Sequence, residues 1–484
     1  MAHSQYRMLF VRFAETVKAR YGSEVHLYCV TPQEAVWYRN HAPDHLFASV
    51  TVANRLYQVM HGEIDDSEAI IETARRNEDF LGTTYNELAV ADRHLGRGYA
   101  LGGYYHPRSR VSEQTSYVQM LSRYNEDIGF WRREYEEKRP TLTIQGNKVS
   151  SVVSRAYGVP IRILAASRTQ NLYYWAHNEF FESPAFEAAY HRLGPVAVDN
   201  IEKPYSGHMA NRGFLTRQGQ LGYVIKTILM HVLRRLYGRM RGYEKARNYF
   251  LGDEIRLIWR QRLGLRTLQR QGHRLNEKEH GPFVFFPLHT EPEAALQLLS
   301  PEYFFQLSAI AATSRDLPAG VSLAVKEALF AVGRRPDNFY DQISAFKNVF
   351  WFDPMELGLE IVRRTRALIT ITGTAGFEAA VLGKPVITFG RHNLYNFLPH
   401  VQVVEDETEL KHHLHWALSE QFDEAAARQA GARFLAAVKD ASFDLRDYDF
   451  RKPDKIEDGA IENMLENMIF SFPDEQKSKA SNLS

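Results

Sequence analysis

The residues best suited to chemistry lie in Leu368-Ile-Thr-Ile-Thr-Gly-Thr-Ala-Gly376-Phe-Glu-Ala-Ala, where a buried strand runs into small residues and then a helix. Glycines at 373 and 376 let the backbone approach a ligand, and the hydroxyls of Thr372 and Thr374 add hydrogen-bonding groups. The helix that follows offers free N–H groups and the positive end of its dipole, which suits a phosphate. Thr372, Gly373, Thr374, Ala375 and Gly376 therefore read as a phosphate-binding turn. Glu378, one helical turn in, reads as an acceptor for ribose hydroxyls. The competing reading is an ordinary tight strand-to-helix turn with a capped helix. The continuation Gly383-Lys-Pro385, which ends the helix and opens the strand VITFG, favours the ligand site.

Charged groups gather at other strand ends. Lys326 closes the apolar run Val321–Lys326, at the C-terminal end of a core strand where α/β sheets bind ligands. Lys326 and Arg334 can each neutralise a phosphate, whereas Arg335 reads equally well as a solvated charge. His289, Glu291 and Glu293 follow the strand Phe283–Leu288, and histidine with carboxylates also suits a metal ion. For Glu293 the rival reading is a helix N-terminal charge after Pro292.

TGTAGFEAAVLGKPVITFG resembles the nucleotide-binding segment of GT-B glycosyltransferases and of the related UDP-N-acetylglucosamine 2-epimerases. FVFFPLHTEPEAAL resembles capsule and lipopolysaccharide biosynthesis proteins of the Kdo-transferase type. The pairs Pro287-Leu288, Pro292-Glu293, Lys326-Glu327, Gly333-Arg334 and Phe339-Tyr340 follow in that family's order, over roughly Phe283 to Glu409. The resemblance implies an α/β fold of two Rossmann-like doubly wound domains of GT-B type. The C-terminal one would hold a nucleotide-sugar donor, and the acceptor would be a glycan or a lipid-linked molecule. No cofactor and no bound metal are implied, so His289, Glu291 and Glu293 are expected to contact the nucleotide base or ribose, or to close the loop.

Glycosyl transfer needs a base for the acceptor hydroxyl, or a nucleophile if configuration is retained. Glu87 and Asp92 with Arg93, after Gly82-Thr-Thr84, are the candidates in the N-terminal half, although they read equally as helix surface charges. His106 and Arg168 are further cleft candidates. One departure stands out: after Lys326-Glu327 the family pattern has His-Pro, and this chain has Ala328-Leu329. In CMP-sugar transferases of this type the His-Pro unit helps bind the nucleotide phosphate, so the change points away from a CMP-sugar. A nucleotide-sugar epimerase and a non-catalytic module of polysaccharide assembly or export stand as rival readings.

The elements that must position these residues are alternating helices and strands, the pattern of a parallel sheet covered by helices. In the N-terminal part, a helix over Met8–Tyr21 ends at Gly22, and strands are expected at Glu24–Val30, Phe47–Val52, Pro140–Ile144 and Ile161–Ala165. A Rossmann-type domain normally opens on a strand. Here a helix comes almost at once, so that strand is expected to be missing, or its place taken by another segment. After Gly281 the pattern strengthens, with strands at Phe283–Leu288, Val321–Lys326, Val349–Phe352, Ala367–Ile371 and Val386–Phe389. The expected divisions are an acceptor domain at 1–204, a basic helical insertion at 205–278, a nucleotide-sugar domain at 279–472 and a disordered tail at 473–484.

Composition sets the surroundings. The net charge of +1 over 484 residues conceals an uneven distribution. Residues 212–274 carry fifteen Lys or Arg against three acidic residues, leaving the rest of the chain net negative. Arginines and aromatics interleave in Arg234–Tyr243, which suits an anionic membrane surface or a glycan or lipid-linked acceptor; a solvated helix pair is the plain alternative. Nucleic acid is not expected, since no RNA- or DNA-binding signature accompanies the basic residues. One cysteine, Cys29, excludes an internal disulfide and a cysteine-based zinc cluster. The opening residues do not read as a secretory signal, and no apolar run is long enough to span a bilayer. The expectation is a cytoplasmic protein with peripheral contact at the inner membrane.

Overall fold

In the computed structural model, which describes residues 6–53, 66–92, 115–169, 172–198, 213, 216–217, 219–241, 250–277, 280–290, 294–445 and 457–472, the local signals set the elements first. Arg93, His106, Glu291, Glu293 and the tail 473–484 fall outside the described residues. α1 (Arg7–Tyr21) ends at Gly22, whose φ of 63° is the left-handed conformation that glycine takes without strain. β1 (His26–Cys29) follows, and Thr31 caps α2 (Pro32–His41) by accepting from the Glu34 amide. β2 (Ser49–Val52) then pairs parallel with β1.

After α3 (Ser67–Leu81) and α4 (Tyr85–Ala91), the long α5 (Tyr117–Lys138) leads to β3 (Thr143–Ile144). A capping box of Asn147 and Ser150 starts α6 (Lys148–Ala156). β4 (Ile161–Ala166) pairs parallel with β3, and β5 (Leu172–Ala176) returns antiparallel before α7 (Pro184–Arg192). All four strands expected in this part form. They divide between the β1–β2 pair and a second sheet, into which the short β4–β5 connection brings an antiparallel strand. Arg168, at φ 66°, sits in that connection.

The chain forms two compact units: Met1–Tyr85, Tyr117–Gly194 and Leu435–Ser484 make up the first, and Asn86–Ser116 with Pro195–Phe434 the second. The second includes α8 (Leu221–Met240) and α9 (Leu251–Gln271), then β6 (Phe283–Pro287), α10 (Ala294–Leu299) and α11 (Gln306–Asp316). β7 (Ser322–Lys326), α12 (Phe339–Ser344), β8 (Val349–Phe352), α13 (Gly358–Arg364) and β9 (Ala367–Thr370) continue the alternation. α14 (Thr374–Val381), β10 (Val386–Thr388), β11 (Val401–Val403) and α15 (Leu410–Leu418) complete it.

These six strands form one parallel sheet in the order β11-β10-β9-β6-β7-β8. Chain order runs outward from β6 on one side and from β9 on the other. This is the doubly wound order, and the β6–β9 boundary is its switch point, where open α/β sheets bind ligands. The strands are apolar almost throughout because both faces are covered. Leu265 and Leu268 of α9 lie in this core, and His273 bridges to Phe352. The segment expected as an insertion at 205–278 is thus, over α9, a layer of the second unit.

α16 (Glu424–Asp440) leads back to the first unit, where β12 (Phe443–Asp444) pairs antiparallel with β5. α17 (Asp458–Phe470) packs on α1 and β5. Phe13, Trp175, Phe443, Ile461, Met464 and Leu465 share one core there, and Trp175 Nε1 donates to Met464 O at 2.9 Å. The C-terminal limit expected at 472 therefore does not coincide with the grouping: from Leu435 the chain packs with its beginning. Leu465→Ala should cost the first unit about 2–5 kcal/mol. Urea unfolding should show the first unit's transition moved to lower urea and the second unit's unmoved.

Candidate functional site

At the switch point the chain leaves β6 into Leu288 and His289, and leaves β9 into Ile371, Thr372 and Gly373. His289 joins the two exits. Gln306, at the start of α11, grips its backbone: Oε1 accepts the His289 amide at 2.6 Å and Nε2 donates to its carbonyl at 3.2 Å. Those two bonds fix the amide's orientation. The same Oε1 lies 3.1 Å from His289 Nδ1. Nε2 lies against Thr372, 2.5 Å from its carbonyl oxygen and 2.9 Å from its amide. The ring is buried and wedged against the residue that precedes the glycine turn.

That turn has the geometry of an open helix start. Gly373 has φ 106° and ψ 177°, a combination essentially restricted to glycine. A Cβ there would also stand 3.4 Å from His289 Nε2. Gly373 is the N-cap of α14 and no side chain caps the helix, so its first-turn amides have no such acceptor. Thr374 is exposed, and Gly373 and Ala375 are half-buried. Thr372 is 1% exposed, and among the described residues its hydroxyl has no hydrogen-bond partner. Gly376 differs from Gly373. A Cβ at 376 would fall 2.0 Å from Tyr395 Oη, so the space it leaves is filled by protein. Glu378 is half-buried one turn further along α14.

Beside this turn stands a buried charged cluster. Lys326 ends β7 at 8% exposed, and its carbonyl accepts from the Leu288 amide. Burial pushes the Lys326 ammonium down to about 8, against the opposing pull of Glu327, Asp353 and Glu356. The Glu327 carboxylate is enclosed by four donors: Arg335 Nε at 2.9 Å, Arg335 Nη2 at 2.8 Å, Tyr340 Oη at 2.9 Å and the Ala328 amide at 2.7 Å. Burial pushes its carboxyl up; the bonds from Tyr340 and Ala328 pull it down, and the permanent guanidinium holds it ionised. Arg335 Nη2 also reaches His289 O at 2.6 Å. Arg260 of α9 clasps the turn from outside, with Nε on Gly333 O, Nη2 on Arg335 O and Nη1 on Asp337. Gly333, at φ 81°, leaves no room for a side chain against the backbone of Gln261.

His289, Thr372 and Gly373 are therefore brought together, with Lys326 on the neighbouring strand end. Arg334 is half-buried beside Arg335. The reading of Arg335 as a solvated charge is corrected: it is 2% exposed and paired. Glu87 is exposed in the first turn of α4 and Asp92, half-buried, follows that helix. The cluster described above is built without them. Gln306, Glu327 and Tyr340 were not singled out as site residues, although the Lys-Glu and Phe-Tyr pairs of the resemblance contain two of them. Among the described residues, no three His, Cys, Asp or Glu side chains converge as a metal site.

An ammonium held near 8 when buried loses stability to the unfolded chain, which keeps its proton to higher pH. The penalty is full below about pH 8 and fades as pH rises toward the ordinary lysine value. Lys326→Met should therefore raise stability at pH 7 by about 2–4 kcal/mol, with the gain shrinking by pH 10. Urea midpoints at the two pH values read this directly; a gain independent of pH would mean that Lys326 carries no such penalty.

The chain is similar, at low levels, to several solved structures. Thermosulfurimonas dismutans KpsC, a beta Kdo 2,4 transferase, is 12% identical with a TM-score of 0.30, covering 60% of this chain and 78% of that one. KpsC of the same organism, as a beta Kdo 2,7 transferase, is 13% identical with a TM-score of 0.27, covering 64% and 89%. Methanocaldococcus jannaschii UDP-GlcNAc 2-epimerase, in complex with UDP-GlcNAc and UDP, is 11% identical with a TM-score of 0.24, covering 65% and 81%. No curated protein matches the chain. Residues 223–398, which run from α8 past β10 and contain the whole cluster, match the family described as capsule polysaccharide biosynthesis protein.

Proposed function

We propose that the protein is a glycosyltransferase of capsule or surface-polysaccharide biosynthesis that uses a nucleotide-sugar donor. One observation carries this reading: an uncapped helix start, α14, lies at the switch point of a doubly wound sheet, inside the segment that matches the capsule family. The donor phosphate sits on the amides that follow Gly373, with Thr372 and Thr374 offering hydroxyls. Lys326 and Arg334 supply positive charge, so no metal is needed to balance the leaving group. Glu378 takes the ribose, and His289 and Glu293 border the base or ribose.

In the transfer step the bond from the anomeric carbon to the phosphate oxygen breaks, and a bond to the acceptor oxygen forms. The leaving phosphate keeps the electron pair, and its growing charge falls on fixed amide dipoles that need little reorganisation. A carboxylate, Glu87 or Asp92, takes the acceptor proton or, with retention, attacks the anomeric carbon. The acceptor is a glycan or a lipid-linked molecule, and the reaction is cytoplasmic, where nucleotide sugars are made.

Calorimetric titration with CMP-, UDP- and GDP-sugars tests the donor site. One nucleotide class should bind, and Gly373→Ala should weaken it by about ten- to hundredfold through lost charge-assisted hydrogen bonds. No binding by any class would refute the proposal. Binding without transfer to any acceptor, given Ala328 in place of the family's histidine, would assign the chain to assembly or export instead.

A further inference from the structure

We infer that the outer face of α8 is a docking surface for an anionic lipid bilayer. Of the twenty residues of Leu221–Met240, only Val224 and Gly238 are buried. Leu221, Ile225, Leu229, Leu233, Leu236 and Met240 recur every three or four residues, the spacing of one helical face. They are solvent-exposed, Ile225 and Leu229 at 54% and Met240 at 80%. A row of large apolar side chains in water is a feature that soluble surfaces rarely retain without a partner.

The charges on the helix identify that partner. α8 carries Lys226, Arg234, Arg235 and Arg239, and no acidic residue. At 100° per residue, Lys226 borders the stripe on one side and Arg239 on the other, while Arg234 and Arg235 lie further round toward the packed face. Long basic side chains flanking an apolar stripe suit a helix lying in the headgroup plane, with the stripe in the acyl boundary and the cations on lipid phosphates. A second copy fits less well, because pairing two such stripes would bring their flanking cations together. Crossing the bilayer is a different matter, and no described helix is long and apolar enough for it.

Co-sedimentation of the full chain with lipid vesicles tests this without reference to the donor site. The chain should pellet with vesicles of phosphatidylglycerol and phosphatidylethanolamine in equal parts, far less with phosphatidylcholine alone, and less as salt rises. Leu229→Glu with Leu233→Glu should lower binding by about tenfold or more while leaving the circular dichroism spectrum unchanged. Lys226→Gln with Arg239→Gln should weaken binding to the anionic vesicles and flatten the salt dependence. Equal binding to both lipids, or no effect of the leucine changes, would overturn the proposal. So would a concentration-dependent dimer in lipid-free sedimentation that the leucine changes abolish, which would give the stripe to a second copy.

Discussion

Arg335 is a permanent cation closed off from solvent, and the geometry of the candidate site follows from how that charge is met. A buried guanidinium requires an ionised partner and acceptors for its remaining donors. Glu327 supplies the first and the His289 carbonyl the second, so the ends of β7 and β6 are tied at one point. With its backbone held by Arg335 and Gln306, His289 presents its ring to the Thr372 amide. That contact sets the residue before Gly373, and Gly373 sets the start of α14. Removing either member of the pair would strand the other charge and cost about 3–5 kcal/mol. The pair itself adds little net stability; its effect is to select one arrangement of three strand ends.

Lys326 shows the opposite balance. It lies one residue from Glu327, yet its only described hydrogen bond among these groups is a long one to the Glu327 carbonyl at 3.5 Å. Burial works against its charge while carboxylates nearby favour it. A structure selected for stability alone would place an apolar residue at the end of a core strand. Under the proposed function the ammonium has a use, since a donor phosphate would add a further counter-charge beside it. The unpartnered hydroxyl of Thr372 and the uncapped start of α14 have the same character: polar groups oriented or buried without a protein partner.

How far these features are legible in the sequence depends on which physical scale fixes them. From β6 to β10 the strands of the second unit are runs such as VFWF and ALIT, apolar because both faces are covered, and their limits read to within a residue or two, whereas the short edge strand β11, VQV, carries too little pattern to be expected. Local caps are equally readable: Gly22 and Thr31 act within one turn of themselves. β5 was missed because its place depends on an antiparallel return, and β12 because its partner lies far away in the chain. The same distinction separates the two glycines. Gly373 is required by its own backbone angles, whereas Gly376 answers to Tyr395, nineteen residues on, which no local pattern reveals. Burial of Arg335 depends on Glu327 and on the pressure of α9, so composition alone leaves it looking like a surface charge.

The basic segment makes the same point about charge. Its excess reads in sequence as a single surface, but the two helices divide it. On α9, Arg260 is committed to Gly333, Arg335 and Asp337, and Arg262 is buried. Those cations hold the site loop and are unavailable to a partner. On α8, Lys226 and Arg239 are exposed and flank an apolar stripe that lies outside the core. Since α8 packs along α9, and α9 grips the turn that carries Arg335, the outward face and the turn at Gly373 belong to one continuous packed layer of the second unit. If α8 lies on a bilayer, the height of α14 above the lipid is then set by side-chain packing and not by a flexible linker. Under the proposed function, a lipid-linked acceptor would then meet the donor at a fixed distance from the membrane plane, and holding two reactants in one geometry lowers the barrier to their reaction.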